Sequence, residues 1–312
     1  MAQNAPGKHY RKGITLTKLI QMFPDDKTAE AWFIQSRWPD GIRCPYCDSD
    51  KIKDNASHAT MPFRCNGCKK RFSVKSRSIM HSSKLGYQKW AIALYLVTTN
   101  LKGISSMKLH RDLGITQKAA WHMLHRIRKA YTDTNILFGG EIEVDETYVG
   151  GKEGNKHAHK KLRAGRGTVG KTAVAGMKER DTNKIHAQVV DSTDRETLQG
   201  FVTNNTAESS IIYTDDARAY QGMPRRHATV KHSVGEYVRQ QAHTNGMESF
   251  WSLLKRGFTG TYHKMSPKHL HRYIDEFAGR YNDRPLDTEH QMVNVVRGAE
   301  GKRLRYVDLI AE

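Results

Sequence analysis

The sequence predicts an α/β protein whose mixed sheet is covered by helices on both faces, preceded by a small cysteine-clustered module and a short helical one. Three observations predict it. The only four cysteines form two C-x-x-C pairs within residues 44–68. Apolar residues then recur at helical spacing on either side of Gly114. From Glu141 onward, alternation marks three strands, a helix, a fourth strand and later helices.

The first module is assigned to residues 1–82. Pro24-Asp25-Asp26 starts a short helix with Ala29, Trp32 and Phe33 on one face, ended by WPDG at Trp38 to Gly41 and expected to pack on the cysteine-bearing segment after it. Cys44, Cys47, Cys65 and Cys68 read CPYC, seventeen residues, CNGC. Two such knuckles can set four thiolates tetrahedrally around zinc, and the aromatic and basic residues of FRCNGCKKRF suit the short strands of a zinc ribbon. Paired disulfides or a redox C-x-x-C would need a secreted or thioredoxin-like context, which this chain does not suggest. One structural Zn2+ supplies folding energy and leaves no open coordination position, so the module is expected to bind a partner and not to catalyse.

The second module spans 83–135. A helix is predicted from Tyr87 to Thr98; Ser105-Ser106 caps MKLHRDLG, and Thr116 caps QKAAWHMLHRIRKAY. In the last helix Ala120, Leu124, Ile127 and Tyr131 share a buried face, leaving Gln117, Lys118, His122, Arg126 and Lys129 directed elsewhere. Helix, Gly114 turn, helix is a helix-turn-helix pattern, with Lys118 and Arg126 as candidate DNA contacts, although any small helical bundle gives a similar one.

In the third region EIEVDETYV alternates, with Ile142 and Val144 on one face and Glu143 and Asp145 on the other. TAVAGMKE and IHAQVVDS follow as strands, then a helix near Arg195 to Thr203 and the strand SSIIYTDD. HTNGMESFWSLLKRG places Met247, Phe250, Trp251 and Leu254 on one stripe of an amphipathic helix, with Asn245, Glu248, Ser252 and Lys255 on the adjoining face. SPKHLHRYIDEFAGRYNDR closes the pattern, with Ser266 as N-cap and a stripe of Leu270, Tyr273, Ile274, Phe277 and Tyr281.

Charge narrows the partner. With 51 Lys+Arg against 32 Asp+Glu the formal charge is +19, which suggests a polyanion, most simply nucleic acid. The longest apolar run, Trp90 to Val97, is far short of the roughly 20 residues that cross a bilayer, so a cytoplasmic, nucleoid-associated protein is expected. Within this basic chain Asp145 lies on a strand, Asp215 ends another, and Glu248 sits at the rim of a buried helix stripe. Alone, each is a turn former or a solvated charge. Neighbouring strands would bring the two aspartates together, where hard carboxylates repel unless a divalent cation such as Mg2+ lies between them.

The motifs FPDDKTAEAWFIQSRWPDGIRCPYC, CNGCKKRFSVKS, VDETYVGGK, YTDDARAY, HTNGMESFWSLLKRG and the closing helix resemble a bacterial insertion-sequence DDE transposase with an N-terminal zinc ribbon, of the ISXO-like superfamily. The resemblance is nearly chain-wide. It implies a ribonuclease-H-like catalytic domain, assigned to 136–312, with Asp145 and Asp215 as the first two catalytic carboxylates. Asn245 or Glu248 is the third. Glu248 is favoured because a carboxylate binds Mg2+ better than an amide and Lys255 follows it by seven residues. The implied chemistry is cleavage and strand transfer of double-stranded DNA at transposon ends, with two Mg2+, or Mn2+ in their place, and a homodimer or larger assembly to join two ends. Lys255 is assigned to terminal DNA, and Lys152, Lys160, Lys161, Arg163, Arg166 and Lys171 of the Gly- and Lys-rich loop to phosphates. His232 and His243 are weaker candidates for proton shuttling. The competing expectations are a DNA-binding regulator with an inactive ribonuclease-H-like domain, and a nuclease on the same fold.

Overall fold

The computed structural model describes residues 12–54, 58–132, 136–151, 153–162, 167–230 and 244–311. The chain divides into two compact units, Met1–Thr132 with Asp283–Glu312, and Asp133–Asn282.

In the first unit, Thr15 caps α1 (Leu16–Met22) by accepting from the Lys18 N–H, and Asp25 caps α2 (Asp26–Arg37) by accepting from Thr28. Strands β1 (Ile52–Asp54), β2 (Phe63–Cys65) and β3 (Arg71–Phe72) form an antiparallel sheet in that order. Trp38, just past α2, meets the rings of Phe63 and Phe72 edge-on at 6.1 and 6.0 Å, so the helix packs on the ribbon as expected. Three helices follow, α3 (Tyr87–Thr99), α4 (Ser106–Leu113) and α5 (Gln117–Ala130). Ser105 and Thr116 cap the last two, and Gly114 between them takes the left-handed conformation, φ 57°, that ends a helix without Cβ strain.

Two differences from the sequence reading arise here. The expected boundary at 82 divides what is one core: Phe63 and Phe72 of the ribbon share a cluster with Phe33, Leu94, Leu109 and Ile127. Met292, Val295, Val296 and Ala299 belong to it as well, so the segment after residue 282, with its helices Thr288–Gly298 and Tyr306–Ala311, joins this unit and not the sheet domain. The second difference concerns α5, in which every residue from Met123 to Arg128 is buried. Arg126 is 8% exposed, donating from Nε to Leu304 O and from Nη2 to His81 O, both at 3.1 Å. His122 meets Leu304 O and Lys129 donates to Arg303 O. Local periodicity put these side chains on a free face; carbonyls of the returning C-terminal segment occupy it. Gln117 and Lys118 remain exposed, Lys118 lying over the Tyr306 ring at 4.4 Å.

The second unit is built on β4 (Glu141–Val149), β5 (Thr172–Glu179), β6 (Ile185–Val190), β7 (Ile211–Asp215) and β8 (Arg226–Val230), in the order β6-β5-β4-β7-β8. The first three pair antiparallel, whereas β7 and β8 join parallel. Helix α6 (Arg195–Asn205), capped by Asp194, gives Leu198, Phe201 and Val202 to a core with Ile142, Val144 and Met177. Helices α7 (Asn245–Gly257) and α8 (Pro267–Asp283) form the other core through Met247, Phe250, Trp251, Leu270, Ile274 and Phe277, with Val149 and Val174 of the sheet. A mixed sheet between two helical layers is the ribonuclease-H-like arrangement expected.

Candidate active site and metal-binding residues

The four cysteines are free thiols gathered at one point. Cys44 and Cys68 Sγ are 3.6 Å apart, as are Cys47 and Cys65, and all four sulfurs lie within 4.8 Å of one another. A tetrahedron with Zn–S bonds of about 2.3 Å has edges of about 3.8 Å, so the donor set and its spacing fit zinc. The Cys68 N–H donates to Cys65 Sγ, and such backbone donors push the Cys65 thiol down to about 6, toward the thiolate a metal needs.

The acidic site rests on strand register. On the parallel pair each β4 residue stands beside the β7 residue numbered 70 higher, Glu141 by Ile211 and Glu143 by Tyr213. Continued two residues, that register sets Asp145 level with Asp215 at the strand end, on one face because side chains alternate with period two. Asp145 is pushed up to about 7, first by burial and then by the negative charges of Glu146 and Asp215. Against these, the Glu146 N–H and the Trp251 indole N–H donate to its two oxygens at 2.9 and 3.0 Å.

Trp251 can reach Asp145 because Gly176 stands opposite Asp145 on β5. A Cβ there would come within 2.6 Å of the indole and 2.5 Å of Met247. Two residues earlier on β4, Glu143, 1% exposed, accepts from the N–H groups of Gly246 and Met247 at the start of α7, at 2.8 and 3.3 Å. A carboxylate there satisfies orphan donors and opposes the helix dipole. Arg180 pairs with both Glu143 and Glu141, at 3.1 Å each, and lies 4.1 Å over the Tyr213 ring. Glu143, which alternation put on the same strand face as Asp145, thus ties the helix bearing Asn245 and Glu248 to the strand bearing Asp145.

Glu146, the next residue on β4, is engaged as well. Its Oε2 accepts from the Tyr220 hydroxyl at 2.7 Å, and its pKa is raised by burial and by Asp215. Tyr220 is fully buried and belongs to the turn just after Asp215. No signal in the sequence linked residues 146 and 220; the Asp215-to-Tyr220 spacing could have been read only with the β4–β7 pairing in hand.

Asn245, Glu248 and Lys255 are all exposed on α7. Among the described residues, the cysteines form the one group of three or more metal-ligating side chains drawn within 4.8 Å, so Asp145, Asp215 and Glu248 are less tightly gathered. Of the basic loop, Lys161 is exposed and Lys171 half-buried, and Lys160 ends the short turn Ala158–Lys160. Lys152, Arg163, Arg166, His232 and His243 lie outside the described residues.

Residues 24–71 match the family described as the transposase zinc-ribbon domain, and residues 137–282 match the ISXO2-like transposase domain. The chain thus resembles the ISXO2-like transposases, with a matched zinc ribbon ahead of a matched transposase domain. The transposase domain contains Asp145, Asp215, Asn245 and Glu248, and the ribbon match contains all four cysteines. An uncharacterized protein of the transposable element ISH50 from Halobacterium salinarum is 25% identical over 274 residues, 84% of this chain and 92% of the relative. An uncharacterized transposase-like protein from Haemophilus influenzae is 23% identical over 120 residues, 37% of this chain and 96% of that one. Together these matches support a transposase role. The cryo-EM structure of the simian T-cell lymphotropic virus intasome with PP2A regulatory subunit B56 gamma is matched at 15% identity, covering 56% of this chain and 60% of that one, with a TM-score of 0.26. That likeness is too loose to bear on the fold. No described helix is long and apolar enough to cross a membrane.

Proposed function

We propose that the protein binds the terminal repeats of an insertion sequence and catalyses metal-dependent phosphodiester cleavage and strand transfer, with Asp145, Asp215 and Glu248 as the catalytic carboxylates. The observation that carries this reading is the β4–β7 register, which, continued two residues, would set a half-buried Asp145 level with Asp215, whose charge opposes its own. Oxygen donors so placed fit Mg2+, or Mn2+ in its stead, which when bound would activate the attacking water or 3′ hydroxyl and stabilise the leaving oxygen. Trp251 holds one Asp145 oxygen and leaves the other beside the Glu146 N–H. Glu143 and Arg180 register the start of α7, from which Glu248, with Asn245 as the alternative third ligand, would be brought to the two aspartates. In this reading the three acids close together only when cation and DNA are bound. Lys255 and the loop from Lys152 to Lys171 hold DNA phosphates. Two protomers or more join the two ends.

The test is incubation with Mg2+ and labelled duplexes carrying the element's terminal repeats. End cleavage and joining by the wild type, lost in Asp145→Ala, is the expected result. Equal inactivity of the two on true ends would favour the regulator, and cutting of RNA–DNA hybrids would favour a nuclease.

A further inference from the structure

The ribbon sheet presents an unusual outer face. Lys53 on β1 stands opposite Arg64 on β2, and Arg64 stands opposite Arg71 on β3. Directly paired residues of an antiparallel sheet point to the same side, with Cβ atoms about 5 Å apart, and like charges so placed destabilise the sheet. Lys53 and Arg64 are exposed, and among the described residues neither makes a hydrogen bond or an ion pair. Behind the row lie the rings of Phe63 and Phe72, 5.5 Å apart, backed by Trp38, and the zinc knuckle at Cys65. The cations therefore stand on a stiff platform. Lys51, Lys69 and Lys70 are exposed beside it, with Asp50 and Asp54 the acids nearest in sequence.

A row of opposed cations held on a rigid base is retained at a cost in stability, and a dense line of negative charge offsets that cost. We propose that this face, centred on Lys53 and Arg64, is a phosphate-binding surface for duplex DNA. Charge complementarity selects the partner: a DNA duplex carries one negative charge per about 1.7 Å of its axis. The first unit's other candidate, α5, has its Arg126, His122 and Lys129 engaged by backbone carbonyls. The inference rests on the proposed transposase activity, and it assigns to the ribbon a backbone grip that positions the DNA without reading its sequence.

Full-length protein is compared with a Lys53→Gln/Arg64→Gln variant by fluorescence anisotropy on a terminal-repeat duplex and a scrambled one, across a salt series. The variant is expected to bind both duplexes at least about fivefold more weakly, with a salt slope shallower by about 2, one unit for each phosphate it no longer neutralises. Its zinc content and melting temperature should match or exceed the wild type's, since like-charge repulsion is relieved. Unchanged affinity and slope overturn the inference, as does a loss of preference for the repeat with no change in slope. Competition by polyglutamate but not by duplex DNA would also overturn it, in favour of an acidic protein partner. Cleavage of the repeat duplex, with Asp145→Asn as the inactive control, separates the two readings: if the wild type binds and cleaves while the double variant binds equally well, the ribbon surface alone fails; if the wild type does not cleave, the transposase reading fails.

Discussion

The thiol cluster and the acidic cluster are assembled in opposite ways. Cys44, Cys47, Cys65 and Cys68 come from two tight knuckles 24 residues apart end to end, and their sulfurs already lie within 4.8 Å. Asp145, Asp215 and Glu248 come from a strand, a strand end and a helix spread over 103 residues, and they are not so closely gathered. A closed tetrahedral site contributes to folding and is best complete. In the proposed function the acidic cluster must admit a DNA phosphate, and what positions it is a scaffold: the Arg180–Glu143 pair, the Trp251 indole and the gap at Gly176. The first site is thus specified by its ligands, and the second mainly by residues that are not ligands.

The sharpest way to break this contrast is to remove a thiol. Cys65→Ser, or chelation of zinc, is expected to unfold the ribbon and loosen the core it shares with α2 and α3, since structural zinc contributes on the order of 10 kcal/mol to small domains; zinc content and circular dichroism report the loss. Asp145→Asn should do the reverse, abolishing cleavage by about a thousandfold or more while the fold persists.

Stability against pH sharpens the point. Asp145 has a folded-state value of about 7 against an ordinary 3.8, so as pH rises from 4 to 7 the unfolded chain loses this proton first and the metal-free fold is progressively weakened. Metal-free wild type should therefore melt below Asp145→Asn at pH 8, with the gap closing by pH 4, and Mg2+ should raise the wild-type melting temperature alone. A gap that does not narrow on acidification would argue against the carboxyl's burial.

Scaffold changes come next. Gly176→Ala drives a methyl into Trp251 and is expected to lower stability by about 1–3 kcal/mol, seen in denaturant melts, and to weaken Mg2+ affinity with it. Trp251→Phe keeps most of the packing but removes the donor that favours the Asp145 carboxylate. The pH at which cleavage switches on should move upward, read from a rate–pH profile. The smallest effect is expected at Arg180→Lys, which keeps the charge but loses the forked contact to Glu141 and Glu143.

Where neighbours in sequence decide structure, the sequence was readable. Ser105, Thr116 and Asp25 each cap the helix expected of them, and β4 to β7 fall where alternation puts them. The cysteine spacing led directly to the cluster. What escaped reading depends on distant partners. Arg126 lies on the polar side of α5 by periodicity, yet Leu304 O takes it from 178 residues away. Trp251 was legible as core but not as the donor to Asp145, and the hydroxyl that meets Glu146 belongs to Tyr220, 74 residues off. The strand β8 carries only Ala228 and Val230 as apolar residues in RHATV, too weak an alternation to announce itself. Helix α1 and the helices after residue 287 likewise went unanticipated.

The return of the chain after residue 282 into the first core has a bearing on synthesis at the ribosome. Val295, Val296 and Ala299 are made last among the residues that fill it, after the whole transposase domain has been synthesised. The ribbon and its helices can begin to fold early, but their core closes only once translation has passed the sheet domain. A truncated nascent product would then carry the cationic ribbon on an unfinished base, so the timing of chain completion itself limits when the DNA-binding face becomes fully rigid.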